Sequence, residues 1–128
     1  MKLLLDTHAL LWFFTTDPKL STPAKTAIED PANERYVSPV SLLEIALKVR
    51  LGKLSLPAPF AMMFPTALAA DNIQLLPLRI AHIEPLTTLP LHHRDPFDRV
   101  VAATALVEGL TVVSVDAIFD AYGVSRLW

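Results

Sequence analysis

Four acidic residues of this 128-residue chain stand where predicted secondary-structure elements begin or end. Asp6 follows a run of three leucines, and Asp116 follows a β-branched run. Glu44 and Asp98 lie early in two predicted helices. Carboxylates gathered in one pocket repel one another unless a cation neutralises them or some stay protonated. Oxygen ligands favour a hard ion such as Mg²⁺ or Mn²⁺, which assists the hydrolysis of phosphate esters.

The elements that must position these acids alternate between strands and helices. Short apolar or β-branched runs predict strands at residues 2–5, 36–37, 73–76, 111–115 and 124–128. Apolar segments with Ser, Thr or Asp before a first-turn proline, or with a closing glycine, predict helices at residues 7–14, 22–30, 39–50, 60–71, 81–88 and 96–108. Pro65 must start or kink the fourth helix, and Pro85 must interrupt the fifth.

This alternation predicts a three-layer α/β/α fold with a central parallel sheet of four to five strands. Ligands of open parallel sheets bind outside the carboxyl ends of the strands. Helices that follow strands begin at the same edge. The four acids are therefore expected to converge in one pocket there.

The composition indicates a folded chain and limits its chemistry. Hydrophobic residues make up 52% and charged residues 19%, which argues against disorder. The absence of cysteine excludes a disulfide, a thiolate nucleophile and a cysteine-ligated metal site. The formal charge of -2 is not that of a protein that binds nucleic acid through its phosphates alone. Any such role must depend on a local basic patch or on metal ions.

The sequence predicts one domain over residues 1–128, because it contains no linker, repeat or low-complexity tract. No stretch approaches the ~20 consecutive apolar residues of a membrane span. Asp6 interrupts the N-terminal apolar run before it reaches the length of a signal peptide. We therefore expect a cytoplasmic protein with no membrane association. The large hydrophobic fraction also indicates apolar surface reserved for a partner, expected around residues 12–14 and 60–64.

Four segments carry a resemblance to a known family. They are residues 3–12 (LLLDTHALLW), 41–46 (SLLEIA), 93–99 (HRDPFDR) and 113–116 (VSVD), followed by Phe119 and the ending 122–128. Their order and spacing resemble those of the PIN-domain proteins of the VapC toxin type. The match spans nearly the whole chain.

The resemblance implies a PIN-like sheet fold and an endoribonuclease that depends on Mg²⁺ or Mn²⁺. It also implies an RNA substrate, a homodimer, and a cognate antitoxin that is encoded beside the chain and neutralises it. On this resemblance Asp6, Glu44, Asp98 and Asp116 bind the metal. Thr7 and Ser114 would supply hydroxyls that hydrogen-bond the carboxylates or a water.

Some residues near the third motif are open to more than one interpretation. Asp95 precedes Pro96 as a good helix cap, and either Asp95 or Asp98 could be the main ligand. Asp98 is favoured because an alanine-rich helix follows it, as in the family. Arg94 and Arg99 flank the proposed site and are candidates for phosphate contact. His8, His92 and His93 match no common zinc pattern and are interpreted as surface or supporting groups.

Each acid also has an ordinary structural explanation as a helix cap, a turn residue or a solvated helix position. Two other functions are alternatives to a nuclease for a chain with these acids. A phospho-accepting signalling domain would need a second acid at the end of the first strand and a late lysine, and no lysine follows Lys53. A catalytically idle module that binds RNA or a partner would be expected to have lost one of the acids, and all four are present.

Overall fold

Five parallel strands form the central sheet in the computed structural model, which describes all 128 residues. The strands are β1 (Lys2–Leu5), β2 (Glu34–Val37), β3 (Ile73–Leu75), β4 (Thr111–Val113) and β5 (Arg126–Leu127). They lie in the order β3-β2-β1-β4-β5, and every neighbouring pair is parallel. The prediction of a parallel sheet is confirmed.

Helices cover both faces of this sheet. They are α1 (Thr7–Phe14), α2 (Thr22–Glu29), α3 (Pro39–Arg50), α4 (Phe60–Met63), α5 (Thr66–Ala70), α6 (Ile80–Ile83), α7 (Pro96–Glu108) and α8 (Ile118–Ala121), with a 3₁₀ turn at Glu84–Thr87. The side chains of Ser21, Ser38 and Asp95 accept hydrogen bonds from the first turns of α2, α3 and α7. No helix combines the length and the apolar character needed to cross a bilayer.

The three leucines of β1 show how the layers form. Leu3 and Leu5 are fully buried against residues from α1 to α5, whereas Leu4 is fully buried on the opposite face against α7 and α8. Alternate side chains of a strand point to opposite faces, so a continuous apolar run suits a strand covered on both sides. The expected three-layer α/β/α architecture is confirmed.

Several elements differ from the prediction: β2 begins earlier, at Glu34, β5 covers only Arg126–Leu127 of the predicted 124–128, and α8 was not predicted. The predicted helix at 60–71 is two short helices separated at Pro65, because proline cannot donate the backbone hydrogen bond that would join them. The predicted strand at 111–115 ends at Val113. Its partners end there too, since Val113 pairs with Leu5 on one side and with Leu127 on the other. Asp116 consequently lies in the turn after the strand and not at its end.

Candidate active site

The carboxyl edge of the sheet brings distant parts of the chain to one level. Leu5 lies beside Val37 of β2 and beside Val113 of β4. The residue that follows β1 is Asp6, and the residue that follows β4 is Ser114. Both are buried, at 5% and 0% exposure. The strand register therefore places a carboxyl group and a hydroxyl group side by side before any helix is considered.

A pocket of about 180 Å³ opens at this edge. The predicted acids Asp6, Glu44, Asp98 and Asp116 line it together with Thr7, His8, Lys48, His93, Asp95 and Val115. The acids come from the end of β1, from α3, from the first turn of α7 and from the turn after β4. Segments far apart in sequence thus converge in a small and almost wholly polar cavity.

Three of the aspartates also bind backbone N–H groups of the segments that follow them. Asp95 is the helix cap and Asp116 the turn residue that the sequence offered as ordinary explanations, whereas the cap that Asp6 forms on α1 was not predicted. In each, Oδ1 accepts a hydrogen bond from a backbone N–H two or three residues later. These bonds join Asp6 to Ala9 (2.8 Å), Asp95 to Phe97 (2.9 Å) and Asp116 to Ile118 (3.0 Å). A cap fixes the orientation of the carboxylate and engages one oxygen. Capping and ligand binding are therefore compatible in the same side chain.

Glu44 is held from two sides. Thr7 Oγ1 donates to Glu44 Oε1, and Lys48 Nζ donates to Oε2, both at 2.7 Å. The glutamate is only 4% exposed, so its charge is compensated by the lysine one helical turn away and not by water. The other hydroxyl, that of Ser114, accepts a hydrogen bond from the backbone N–H of Asp116 at 3.0 Å.

His93 is the residue that sequence reasoning undervalued. Its Nδ1 accepts the backbone N–H of Asp95 at 3.0 Å, so in the neutral ring the proton is on Nε2. Nε2 lies 2.9 Å from Asp98 Oδ2 and 3.2 Å from Asp116 Oδ2. The ring therefore joins two acids from different elements. Its place in the HRDPFDR segment was the available signal, but the contact with Asp116 spans 23 positions and depends on the fold.

The electrostatics of the pocket favour protons or a cation. Burial, followed by repulsion from Asp95, raises the pKa of Asp98 from 3.8 to about 7, although His93 opposes the shift. Burial also raises the pKa of Asp6, against the lowering effect of a hydrogen bond with Ser114. Raised values on two neighbouring carboxyls are the expected result of several acids sharing one site.

The donor atoms suit a divalent cation. Ligand atoms of Glu44, Asp95 and Asp98 lie within 4.8 Å of one another, and those of His93, Asp98 and Asp116 form a second such group, in which His93 could bind a metal itself only after moving its Nε2 proton. Asp98 belongs to both groups and Asp95 to one. Carboxylate oxygens suit a hard divalent cation, and the set contains no sulfur ligand for a thiophilic metal.

Arg99 does not reach the pocket, contrary to the expectation from sequence. Its guanidinium donates to the carbonyl of Leu89 at 3.0 Å, and its Nε is buried without a partner. Consecutive residues of a helix point about 100° apart, so a helix that turns Asp98 into the pocket turns Arg99 away. Arg94 is exposed and does not line the pocket either.

Comparisons with known proteins agree with this geometry. The family model for the PIN domain matches residues 3–124. A search of curated protein sequences finds no significant match. Similar solved structures include VapBC2 from Rickettsia felis bound to a promoter DNA fragment, with a TM-score of 0.73 and 15% identity, covering 98% of this chain and 97% of that chain.

Two further structures have the same fold. VapBC-1 from nontypeable Haemophilus influenzae has a TM-score of 0.64 and 14% identity, covering 98% of this chain and 96% of that chain. FitAcB from Neisseria gonorrhoeae has a TM-score of 0.58 and 21% identity, covering 97% and 95%. Structures with identities this low share a fold with this chain, and the likeness does not establish a shared activity.

Proposed function

Because this chain belongs to the PIN-domain family, we propose that it is a metal-dependent endoribonuclease and the toxin of a toxin–antitoxin pair. The observation that carries the proposal is the convergence of Asp6, Glu44, Asp98 and Asp116 on one pocket of about 180 Å³. Phosphodiester hydrolysis at such a cluster needs no protein nucleophile. The four acids are proposed as the metal-binding and catalytic residues of a single nuclease domain.

The ion that fits the donor set is Mg²⁺ or Mn²⁺. Asp98 would be the central ligand, because it is the member common to both groups of donor atoms. A bound divalent cation supplies charge that polarises a phosphoryl oxygen and acidifies water. Asp95 is proposed as a supporting ligand that also caps α7, and Asp6 as a buried acid at the floor of the pocket.

The remaining side chains position these acids. Thr7 and Lys48 fix both oxygens of Glu44, so the glutamate has one orientation. Ser114 orients the turn that presents Asp116, through the backbone N–H that donates to its hydroxyl. His93 keeps Asp98 and Asp116 within one ring's reach and carries a proton on the nitrogen that faces them.

A cognate antitoxin is the proposed protein partner. The largest cavity, about 540 Å³, is lined by the aromatic side chains of residues 12–14 and by the charged residues Asp17, Lys25, Glu29 and Asp71. Such a surface suits an apolar segment that carries cationic side chains. The similar VapBC2 and VapBC-1 structures are toxin–antitoxin complexes, which supports a partner of the same kind.

A homodimer and a cytoplasmic location belong to the same proposal. Leu43, Leu47 and Leu51 lie four residues apart along α3 and its end, at 51%, 47% and 67% exposure. A stripe of this spacing is a helix face that a second apolar surface could cover. RNA and an antitoxin encoded beside the toxin would both be met in the cytoplasm.

The test is cleavage of total cellular RNA by the purified chain with Mg²⁺, Mn²⁺ or EDTA, beside Asp6→Asn. We expect discrete fragments that require both the metal and Asp6. Asparagine keeps the oxygen that caps α1, so circular dichroism should be unchanged. Asp30→Asn is the matched control, because Asp30 Oδ1 also accepts a backbone N–H but lies outside the pocket.

Two outcomes would contradict the proposal. Cleavage by Asp6→Asn at the wild-type rate would refute the site. No cleavage with either metal, from folded protein free of its partner, would favour the idle module that binds RNA or a protein without cutting.

A further inference from the structure

A second cavity, of about 380 Å³, lies beside the acidic pocket. The two share Thr7, His8 and Lys48 as lining residues. The second cavity lies between α1 and the loop after α3, and we call it the side groove. Its volume is within the range of about 300–1,000 Å³ in which proteins bind small ligands or single residues of larger ones. A ligand in the side groove would lie directly beside the acids.

Two lysines line the side groove, one held by its side chain and the other by its backbone. Lys48 lies at the junction with the acidic pocket, where it is anchored on Glu44. A turn at the end of α3 brings Lys53 beside Lys48, and in this turn the backbone N–H of Lys53 donates to the carbonyl of Lys48 at 2.9 Å. Gly52 makes this turn with a φ of +71°, a conformation that favours glycine. Lys53 is exposed, forms no ion pair, and is free to bind an anion.

Two aromatic rings also line the side groove. His8 and Trp12 lie one turn apart on α1, with ring centroids 5.4 Å apart and planes tilted by 38°. His8 is exposed and is the ring that a base can reach, whereas Trp12 is half-buried between His8, Trp128 and the Lys19 ammonium and supports His8 from behind. Aromatic faces beside cations are the combination with which proteins bind single-stranded nucleic acid without reading every base.

Charge separates the side groove from the larger cavity on the other side of Trp12. The larger cavity has three acids, Asp17, Glu29 and Asp71, and one lysine, Lys25. In the side groove Lys53 is unpaired, Lys48 is paired with Glu44, and Asp17 is the one acid among the lining residues. A phosphate backbone is repelled by the three acids of the larger cavity and meets an unpaired cation, Lys53, in the side groove. The larger cavity therefore suits a basic protein segment, and the side groove suits RNA.

We propose that the side groove binds the nucleotide next to the scissile phosphate of single-stranded RNA, with its base against His8 and its phosphate at Lys53. This inference rests on the proposed ribonuclease function and extends it to a substrate subsite. Lys48 lines both cavities, so the sugar–phosphate backbone of the RNA would pass beside it on the way from the side groove to the acids.

The test compares Lys53→Glu with Lys25→Glu in steady-state cleavage. The substrate is a short single-stranded RNA that spans the first site mapped in total RNA, with a fluorophore and a quencher at its ends. Both substitutions change one exposed lysine by the same charge, but only Lys53 lies in the side groove. We expect Lys53→Glu to raise KM about tenfold with kcat nearly unchanged, because binding remote from the reacting atoms is lost equally in the ground and transition states.

Salt dependence and a second variant sharpen the test. Lys53→Glu should flatten the dependence of log KM on log salt by about 0.7 or more, the slope of one phosphate contact in a single strand. His8→Ala should raise KM by about fivefold or more and leave that slope unchanged, because stacking is not ionic. A merely structural role for Lys53 would not change the salt slope.

Three outcomes would overturn the inference. If wild-type protein cuts RNA and Lys53→Glu has the same KM as Lys25→Glu, the subsite is wrong and the ribonuclease stands. If RNA cleavage is unchanged while Lys53→Glu binds the product of the neighbouring gene more weakly, the groove serves a protein. If wild-type protein cuts no RNA, the proposed function and this inference fail together.

Discussion

Two histidines of this chain are held in the same manner but lie in opposite surroundings. Nδ1 of His82 accepts the backbone N–H of Arg79 at 3.1 Å, and Nδ1 of His93 accepts that of Asp95 at 3.0 Å. In both rings the Nε2 proton therefore faces carboxylate oxygen. His82 is 0% exposed and lies 2.6 Å from Glu108 Oε1. His93 is 22% exposed and faces two aspartates.

The difference lies in what else neutralises the acids. The guanidinium of Arg79 also binds the carboxylate of Glu108, so the network around His82 has its own cation. The hydrogen bond from His82, and then that from Arg79, lowers the pKa of Glu108. No lysine or arginine forms an ion pair with Asp98 or Asp116, and the pKa of Asp98 is raised to about 7. Around His82, the acid Glu108 is thus neutralised by an arginine within the network, which we call the closed network. Around His93, the acids Asp98 and Asp116 have no such cation, and their charge is left for protons or a metal ion.

Asp98→Asn should give the largest effect. Asp98 is common to both groups of ligand atoms, so the neutral amide of the asparagine would weaken the binding of a metal ion by either group. Loss of several kcal/mol of transition-state stabilisation corresponds to a fall in cleavage rate of about a thousandfold or more. Single-turnover cleavage in Mg²⁺ measures it, with Glu108→Gln as the control from the other network. Equal rates in the two variants would erase the distinction between the networks.

His93→Phe tests the histidine of the acidic pocket. A group that orients ligands to a metal is worth about 10–100-fold in metal affinity or activity. We expect a loss of that size in cleavage, partly restored by raising Mg²⁺, and a melting temperature close to that of wild type. Titration of activity against Mg²⁺ measures the effect. Full activity at every Mg²⁺ concentration would leave His93 without a role in the site.

His82→Phe is the same substitution in the closed network and should have the opposite readout. It removes the acceptor for Arg79 and the donor to Glu108 in a fully buried position, which costs about 1–3 kcal/mol of unfolding free energy. Urea unfolding measures the loss. Cleavage by the folded fraction should stay within about twofold, because His82 touches none of the acids that line the acidic pocket. A large loss of activity without loss of stability would contradict this assignment.

The dependence of stability on pH gives the smallest and most direct contrast. The metal-free folded state keeps a proton on Asp98 up to about pH 7, whereas the unfolded chain releases it near 3.8. Its contribution to stability is therefore complete below the ordinary pKa and is lost as the pH rises through about 7. Glu108 has the opposite sign, because its lowered pKa stabilises the fold above its ordinary value of 4.5 and is lost in acid.

Melting in EDTA across this pH range checks both signs. Asp98→Asn should remove the loss of stability between about pH 5 and pH 8, and Glu108→Gln should remove part of the loss below about pH 4. Added Mg²⁺ should stabilise wild type more at about pH 8 than at about pH 5, because protons compete with the cation for Asp98. A wild-type melting temperature that rises between those values in EDTA would contradict the raised pKa of Asp98.

Local signals explain why most elements were predictable. Ser38 followed by Pro39 starts α3 where expected, and Asp95 followed by Pro96 starts α7, because caps and first-turn prolines act on their immediate neighbours. The convergence of the acids on one edge followed from the parallel sheet alone. The end of β4 was missed because Val115 is a good strand residue whose partners are set by β1 and β5, far away in sequence.

The contacts within the site depend on relations that a single sequence does not contain. Nothing local shows that His93 reaches Asp116, or that Thr7 donates to Glu44 from 37 positions away. Arg99 was misplaced because charge was considered without the direction of the side chain. The identities of the acids were therefore predictable, whereas their contacts required the packed helices.

β1 lies in the middle of the sheet, yet its neighbour β4 is made near the opposite end of the chain. Protein synthesis runs in one direction, so Asp6 and Glu44 leave the ribosome long before Asp98 and Asp116. Both groups of ligand atoms include Asp98, and one also needs Asp116. A growing chain consequently has no complete ligand group until Asp98 has been translated, and under the proposed function a neutralising partner would have no site to act on before that point.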